Sequence, residues 1–168
     1  MDQFETLYRQ HASAVYRFAW GLCGNRSCAE DLVSETFVRL LTKAPRIRTR
    51  TALAYLLAVA RNTYLKGQRR QGREVELPDD ITGPDTDPGC RIDDRARLET
   101  VIAALGDLPE GERAALLLRI DHELPYEEIA AALAISVGAA KVRVHRARLR
   151  LARALEKAGD NHENRNYA

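Results

Sequence analysis

The feature that most constrains the fold is an acidic stretch near the middle of the chain, EVELPDDITGPDTDPGCRIDDR, residues 74–95. It contains three prolines and two glycines, and it has almost no apolar residues at helical spacing. This composition is typical of a linker, and a structureless loop of such length inside one compact domain is uncommon. The stretch therefore predicts two small folded units on either side of it.

The distribution of charge supports the same division. Residues 1–73 carry thirteen Lys or Arg against five Asp or Glu, residues 74–100 carry three against nine, and residues 101–168 carry ten against ten. The net charge of the whole chain, +2, does not show these differences between its segments. We predict a first domain, a flexible linker, a second domain and a polar, disordered tail at residues 1–73, 74–97, 98–157 and 158–168.

Both halves have apolar residues at helical spacing, and no segment alternates with the period of a strand. In the first half, one amphipathic helix ends at Gly24-Asn25 and a second opens with a capping box at Ser27–Glu30. A third runs from about Thr51 to Arg70. The sequence thus predicts an all-α fold of two small helical domains joined by a flexible acidic linker.

The third predicted helix has one apolar face and one basic face. The basic face comprises Asn62, Lys66, Arg69 and Arg73, which follow one another at spacings of three or four residues. The preceding loop adds Arg46, Arg48 and Arg50. A run of cations on a helix is usually just solvated. Here the cations are so closely spaced that they repel one another unless they bind an anion.

The second half ends in a strongly basic helix, with seven Lys or Arg and one Glu from Lys141 to Lys157. Before it, Pro125 starts a short helix that ends at Leu133, the residues AIS form a turn, and Ser136 is placed as the N-cap. This is the pattern of a helix-turn-helix, whose second helix enters the major groove of DNA. Seven cations on one helix match a polyanion, so the pattern favours DNA as the ligand.

Four motifs occur in this order along nearly the whole chain: AEDLVSETFVRLL, AYLLAVARNTYLKGQRR, LGDLPEGERAALLLR and LPYEEIAAALAISVGAAKVRVHRAR. Together they resemble the motifs of extracytoplasmic-function (ECF) sigma factors, the small bacterial type with only two helical domains. The resemblance implies a sigma region 2 bundle and a region 4 helix-turn-helix. It also implies binding to the bacterial RNA polymerase core, recognition of the −10 and −35 promoter elements, and promotion of DNA melting.

The resemblance further implies a role for each surface. The polymerase core would be bound by Asp31, Ser34, Glu35, Phe37 and Arg39. The −10 element would be read, with a flipped base held by the loop, by Arg46, Arg48, Arg50, Tyr55, Arg61, Asn62, Lys66, Arg69 and Arg70. The −35 element would be read by Ser136, Lys141, Val142, Arg143, His145, Arg146 and Arg148.

The chain departs from the family at several of these positions. Family members often have Trp where Tyr55 stands, Gln near Ser34, and GTVKSR where this chain has GAAKVR. The two missing hydroxyls, at Ala139 and Val142, bear on the −35 sequence preference and not on the class. Tyr55 has two interpretations, packing in the core or contact with an unstacked base.

The linker and the partners follow from the same resemblance. The linker of about twenty residues spans at most roughly 66 Å. The two promoter elements, if about seventeen base pairs apart, are separated by about 58 Å, so both are within reach of one chain. The acidic linker either threads a basic channel of the polymerase or is a simple tether.

The expected partners are core polymerase, promoter DNA and an anti-sigma protein. The expected location is the cytoplasm, and no cofactor, metal or membrane insertion is expected.

Two other classes of protein and one other kind of site fit the sequence less well. An ordinary helix-turn-helix regulator would need a sensing or dimerising first half, whereas this one is helical and basic. An enzyme is disfavoured because the four histidines have no ligand or triad spacing and no phosphate-binding glycine loop occurs. Cys23 and Cys28 flank the turn CGNRSC; we predict reduced, buried thiols and not a zinc site, which needs four ligands.

Overall fold

The computed structural model describes residues 2–42, 49–71 and 92–165. Within these ranges the chain forms seven α-helices and no strand, which confirms the predicted all-α class. The helices are α1 (Asp2–Cys23), α2 (Arg26–Thr42), α3 (Ala52–Gln71), α4 (Ile92–Asp107), α5 (Glu110–Ile120), α6 (Tyr126–Leu133) and α7 (Val137–Arg165). We call α1–α3 the N-terminal half and α4–α7 the C-terminal half.

The N-terminal half is a bundle in which each helix contacts the other two. Its centre is formed by fully buried side chains such as Phe18 of α1 and Leu57 of α3. Phe37 of α2 packs edge-on against Phe4 and Tyr8, with ring centroids 6.1 and 4.8 Å away. Phe37 itself is buried, whereas Tyr8 is 45% exposed, so the three rings cover the edge of the core and Phe37 adds large apolar area to it.

The turn between α1 and α2 differs from the predicted capping box. Asn25, and not Ser27, caps α2, since the Asn25 Oδ1 accepts a hydrogen bond of 2.8 Å from the Cys28 backbone N–H. Gly24 has φ +75°, the left-handed conformation that commonly ends a helix. Asparagine and serine are equally good N-caps, so sequence alone did not distinguish two candidates that lie two residues apart.

The C-terminal half is more helical than predicted at both ends. Helix α4 begins at Ile92, so residues 92–97 of the predicted linker are helical, and α7 continues through residues 158–165 of the predicted tail. The far part of α7 lies against α4, where Leu155 and Ala158 face Val101 across a shallow groove. This packing stabilises helix in polar sequence that propensity alone would leave frayed.

The two halves pack against each other, and one hydrophobic cluster runs through both. Gly21 of α1 lies directly against Leu117 of α5, where a Cβ atom on Gly21 would come within 2.7 Å of the leucine Cδ1. The Phe18 ring meets the His122 ring edge-on, with centroids 5.8 Å apart. The domains predicted as separate units on a tether are therefore in direct contact in this structure.

Cys23 and Cys28 form a disulfide, with their Cα atoms 6.0 Å apart. The prediction of two reduced thiols was therefore wrong for the form described here. In the described ranges, no group of His, Cys, Asp or Glu side chains is arranged to hold a metal ion. No helix in those ranges has both the length and the apolar character needed to cross a membrane.

His122 follows α5 and is enclosed at the contact between the halves. Its side chain is only 1% exposed, and its Nε2 lies 3.2 Å from the Asp121 Oδ2. Burial lowers the pKa of His122; the nearby Arg17 acts in the same direction, and Asp121 opposes them. A lowered pKa in the folded state means that the unfolded chain binds the proton more readily.

We therefore expect the free energy of unfolding to be highest above about pH 6.5, the pKa of an unfolded histidine, and to fall as the pH drops toward the lower pKa of the folded state. Replacing His122 with Gln should flatten this dependence. Denaturant unfolding at several pH values between about 7 and 5 measures it. The exposed His145 changed to Gln is the matched control, and an identical pH slope in the His122→Gln variant would contradict the assignment.

Candidate nucleic-acid and polymerase interfaces

Helices α6 and α7 form the predicted helix-turn-helix. Helix α6 ends at Leu133 and is capped by Ala134 in the left-handed conformation (φ 53°), and the Ile135 N–H donates to the Ala130 carbonyl at 3.0 Å. The Ser136 Oγ accepts a hydrogen bond of 3.1 Å from the Ala139 N–H, which confirms Ser136 as the N-cap of α7. Buried Ile129 and Val144 join the two helices, so the orientation of α7 is set by packing.

The outer face of α7 is basic and exposed. Its exposed members among the predicted −35 residues are Lys141, Val142, His145, Arg146 and Arg148. Val142 is 46% exposed, so its apolar side chain is accessible to a partner group such as the methyl group of thymine. The exposed face therefore combines several cations with one apolar side chain, a set of groups that suits a polyanion such as DNA.

Two arginines near this face are instead directed toward α5. Arg143, predicted to contact DNA, is half-buried with its guanidinium against Gly111. Arg150 lies 3.1 Å from the buried carboxylate of Glu112. Both therefore help to fix α7 on α5, and the sequence did not reveal this role because the partners are thirty or more residues away.

Tyr126, the first residue of α6, supports the start of the basic face. The Arg119 guanidinium carbon lies 4.4 Å from the centre of the tyrosine ring, and the Lys141 Nζ lies 5.8 Å from it. Both distances are within the range of cation–π attraction. Tyr126 thus restrains Lys141 on the side where α7 would approach DNA.

The basic face of α3 borders a groove shared with α2. Asn62, Lys66, Arg69 and Arg70 are all exposed, as predicted. The groove encloses about 190 Å³ and is lined by Arg39, Val59, Asn62, Leu65, Lys66 and Arg69. Its cationic rim and apolar floor suit a negatively charged backbone with an unstacked base.

The side chain of Arg61 and the backbone of Arg50, both predicted −10 residues, are engaged at the contact between the halves, while Arg50 itself stays exposed. Arg61 makes two hydrogen bonds to the Glu110 carboxylate, of 2.8 and 2.9 Å, and both side chains are less than a quarter exposed. The Arg50 backbone N–H donates to the carboxylate of Glu128, which is only 5% exposed. Arg61 can reach DNA only when its ion pair with Glu110 opens.

Tyr55 lies half-buried on α3, and burial raises the pKa of its hydroxyl. Tyr55 is therefore neither wholly in the core nor wholly exposed, a position compatible with packing on one side and contact with an unstacked base on the other. Arg46 and Arg48 lie outside the described residues.

The candidate polymerase face of α2 is acidic at one end and apolar at the other. Asp31, Ser34 and Glu35 are exposed, and Glu35 forms an ion pair of 2.7 Å with Arg39. Phe37 is buried and cannot contact polymerase, which corrects its inclusion in the predicted set. The exposed apolar side chains are those of Val38 (55%) and Leu41 (64%), which sequence reasoning did not identify.

The comparisons with known proteins agree with this arrangement. The family model for Sigma-70 region 2 matches residues 7–74, and that for Sigma-70 region 4 matches residues 98–151. The ECF RNA polymerase sigma factor SigM of Bacillus subtilis is 30% identical over 164 residues, which cover 95% of this chain and 98% of SigM. The chain belongs to the ECF family of RNA polymerase sigma factors.

A further relative is ECF sigma factor SigE of Mycolicibacterium smegmatis, with 37% identity over 156 residues. The match covers 90% of this sigma factor and 61% of SigE. Among solved structures, the sigma factor RpoE in complex with the anti-sigma factor NepR from Bartonella quintana has a TM-score of 0.78 and 26% identity. It covers 93% of this chain and 98% of that one.

Family membership establishes the class of activity. Sigma factors are non-enzymatic factors of transcription initiation that bind RNA polymerase and promoter DNA. This sigma factor therefore acts in promoter recognition and not in catalysis.

Proposed function

We propose that this sigma factor reads the −35 element with the exposed face of α7, reads the −10 element with the basic face of α3, and binds core polymerase through α2. The observation that carries the proposal is the exposed row of cations on α7, oriented by the Ser136 N-cap and by packing on α6. We propose that the sigma factor acts in the cytoplasm, where polymerase and promoter are found.

The chain needs polymerase to open a promoter. Opening ten base-pair steps costs on the order of 14 kcal/mol at about 1.4 kcal/mol per step, whereas specific over non-specific DNA binding typically contributes about 4 to 10 kcal/mol. The groove between α2 and α3 can favour melting by capturing an unstacked base, and the polymerase supplies the remaining free energy.

An anti-sigma protein is proposed as the regulator. The supporting observation is the similarity to RpoE, whose structure was solved with the anti-sigma factor NepR. A protein seated on Val38 and Leu41 of α2 would cover exposed apolar side chains and block polymerase.

Run-off transcription on a genomic fragment library with bacterial core polymerase tests the proposed function. The expected result is new start sites that depend on this chain and share two elements about seventeen base pairs apart, or about 58 Å. Salt-dependent DNA binding without any new transcript would favour an ordinary regulator instead.

Replacing Lys141 and Arg148 with Ala should weaken binding to −35 duplex DNA because two phosphate-reaching cations are lost. Each contact contributes about −0.9 to the slope of log affinity against log salt, so the slope should become shallower by about 1.8. Fluorescence anisotropy across a salt series measures it. Arg153 and Lys157, exposed further along α7, are the matched pair for a control variant. An unaltered slope after the Lys141 and Arg148 changes would move the contact elsewhere.

A further inference from the structure

The Cys23–Cys28 disulfide takes no part in the proposed DNA and polymerase contacts. Cys23 is the last residue of α1, and Cys28 lies in the first turn of α2. Cys28 is half-buried, so a small reagent in solvent can approach the bond from its side. The Asn25 cap on the Cys28 N–H and the left-handed Gly24 shape the turn between them.

The last turn of α1, which the disulfide anchors, is also where the C-terminal half docks. The Arg113 side chain of α5 donates a hydrogen bond of 2.7 Å to the Leu22 carbonyl. Carbonyls in the last turn of a helix have no partner within the helix, so Arg113 supplies one. Gly21, one residue earlier, receives Leu117 of α5. The same turn of helix therefore carries the disulfide and a cross-half contact.

A cavity of about 270 Å³ lies between the halves beside this turn. Its lining includes Trp20, Cys23, Tyr64, Ile102, Leu105 and Arg113. The Trp20 Nε1 and the Arg113 Nε are buried there without a hydrogen-bond partner in the described parts of the chain. The contact between the halves is thus incompletely packed next to the disulfide.

We propose that Cys23 and Cys28 are a reversible thiol–disulfide site that sets how firmly the C-terminal half is held on the N-terminal half. In oxidation, one cysteine thiolate attacks a low-molecular-weight disulfide, which releases one reagent thiolate and leaves a mixed disulfide; the second cysteine thiolate then attacks the protein sulfur of that mixed disulfide and releases the other reagent thiolate. The Cys23–Cys28 bond forms, the reagent's S–S bond breaks, and two reagent thiols leave with the two electrons and the two protons. Reduction by the same thiol reverses each step.

The disulfide links the end of α1 to α2, so it limits fraying of the turn that presents the Leu22 carbonyl to Arg113. Reduction removes that restraint and weakens the contact between the halves. In a reducing compartment a protein disulfide is usually transient and redox-sensing, which suits a switch of this kind. The inference concerns the contact between the halves, and it holds whichever DNA elements they read.

The covalent step is tested in full-length protein with Cys90 changed to Ser, which removes the third thiol. The protein is equilibrated with mixtures of reduced and oxidised glutathione, quenched with acid, alkylated to block free thiols and digested with trypsin. Because Arg26 lies between the two cysteines, cleavage gives the peptides 18–26 and 27–39, which stay joined only when the disulfide is present. Joined peptides that titrate with the glutathione ratio are expected; separate peptides at every ratio overturn the proposal.

The coupling is tested by hydrogen exchange of the same protein, oxidised and reduced, and of a variant with Cys23 and Cys28 both changed to Ser. Amides of α5 around Arg113 and Leu117 should exchange about five-fold faster or more after reduction, the lower end of typical coupling between linked sites. The serine variant should match the reduced protein in both buffers. Val144, buried in α7, is the internal control. Equal exchange in both redox states, or faster exchange that includes Val144, overturns the coupling.

Discussion

Changing Asp31 and Glu35 to Lys is expected to lower the affinity for core RNA polymerase by more than about 100-fold, or about 3 kcal/mol. Both carboxylates are exposed on α2, on the side that continues into exposed Val38 and Leu41. An acidic end and an apolar end on one face fit a partner with a basic rim and an apolar centre, and reversal sets like charges against that rim.

The fold should survive this change. Asp31 and Glu35 are exposed, and a lysine in place of Glu35 would repel Arg39 by only about 0.2 to 0.5 kcal/mol on the helix surface. Asp94 and Glu99 of α4, also exposed, give a control variant with the same change in net charge. Co-purification with core enzyme and a titration with labelled protein measure the affinity. Retained binding in the α2 variant, or equal loss in the α4 control, would refute the assignment of this face.

Changing Glu110 to Lys is expected to separate the two halves. Glu110 makes a two-point ion pair with Arg61, and both side chains are mostly buried, so the variant places two cations together in a poorly solvated site. It also puts a cation at the positive end of α5. Because the pair keeps some solvent access, we expect a loss of about 2 kcal/mol in the contact between the halves, or roughly 30-fold.

Small-angle scattering measures the radius of gyration, which should increase in the Glu110→Lys variant. Glu127, an acid in the first turn of α6, gives the matched Glu→Lys control, which should leave the radius unchanged. Exchanging the charges, with Arg61→Glu and Glu110→Arg together, should restore part of the compaction. A variant as compact as the natural protein would show that apolar packing alone holds the halves together.

Much of the fold could be predicted because it rests on local signals. The helical period identified α1–α3, α6 and α7, and a serine before a basic amphipathic run identified the N-cap at Ser136, which the structure confirms. The exposed cations of α3 and α7 also lie where the pattern placed them. In each case the information lies within one or two turns of helix, where spacing decides which side chains share a face.

The sequence-based predictions that the structure corrected fall into two groups. In some, two local signals competed; in others, the outcome depended on contacts between residues far apart in the chain. Ser27 and Asn25 are comparable caps, and the chain uses Asn25. Phe37 recurs with the apolar residues of α2 at helical spacing, and its packing against Phe4 and Tyr8 places it in the core and not on the polymerase face. Helical residues at 92–97 and 158–165 were missed because polar composition resembles linker and tail, whereas α4 and α7 support each other.

By itself, the sequence determined that this sigma factor is all-helical and where its two basic faces lie, because helical periodicity and charge spacing are properties of short segments. Only the tertiary structure decided that the halves pack together, that Arg61 is held by Glu110, and that Arg113 binds the end of α1 beside a disulfide. These contacts join residues about 50 to 90 positions apart. No local pattern encodes such pairs, since they depend on the way whole helices dock.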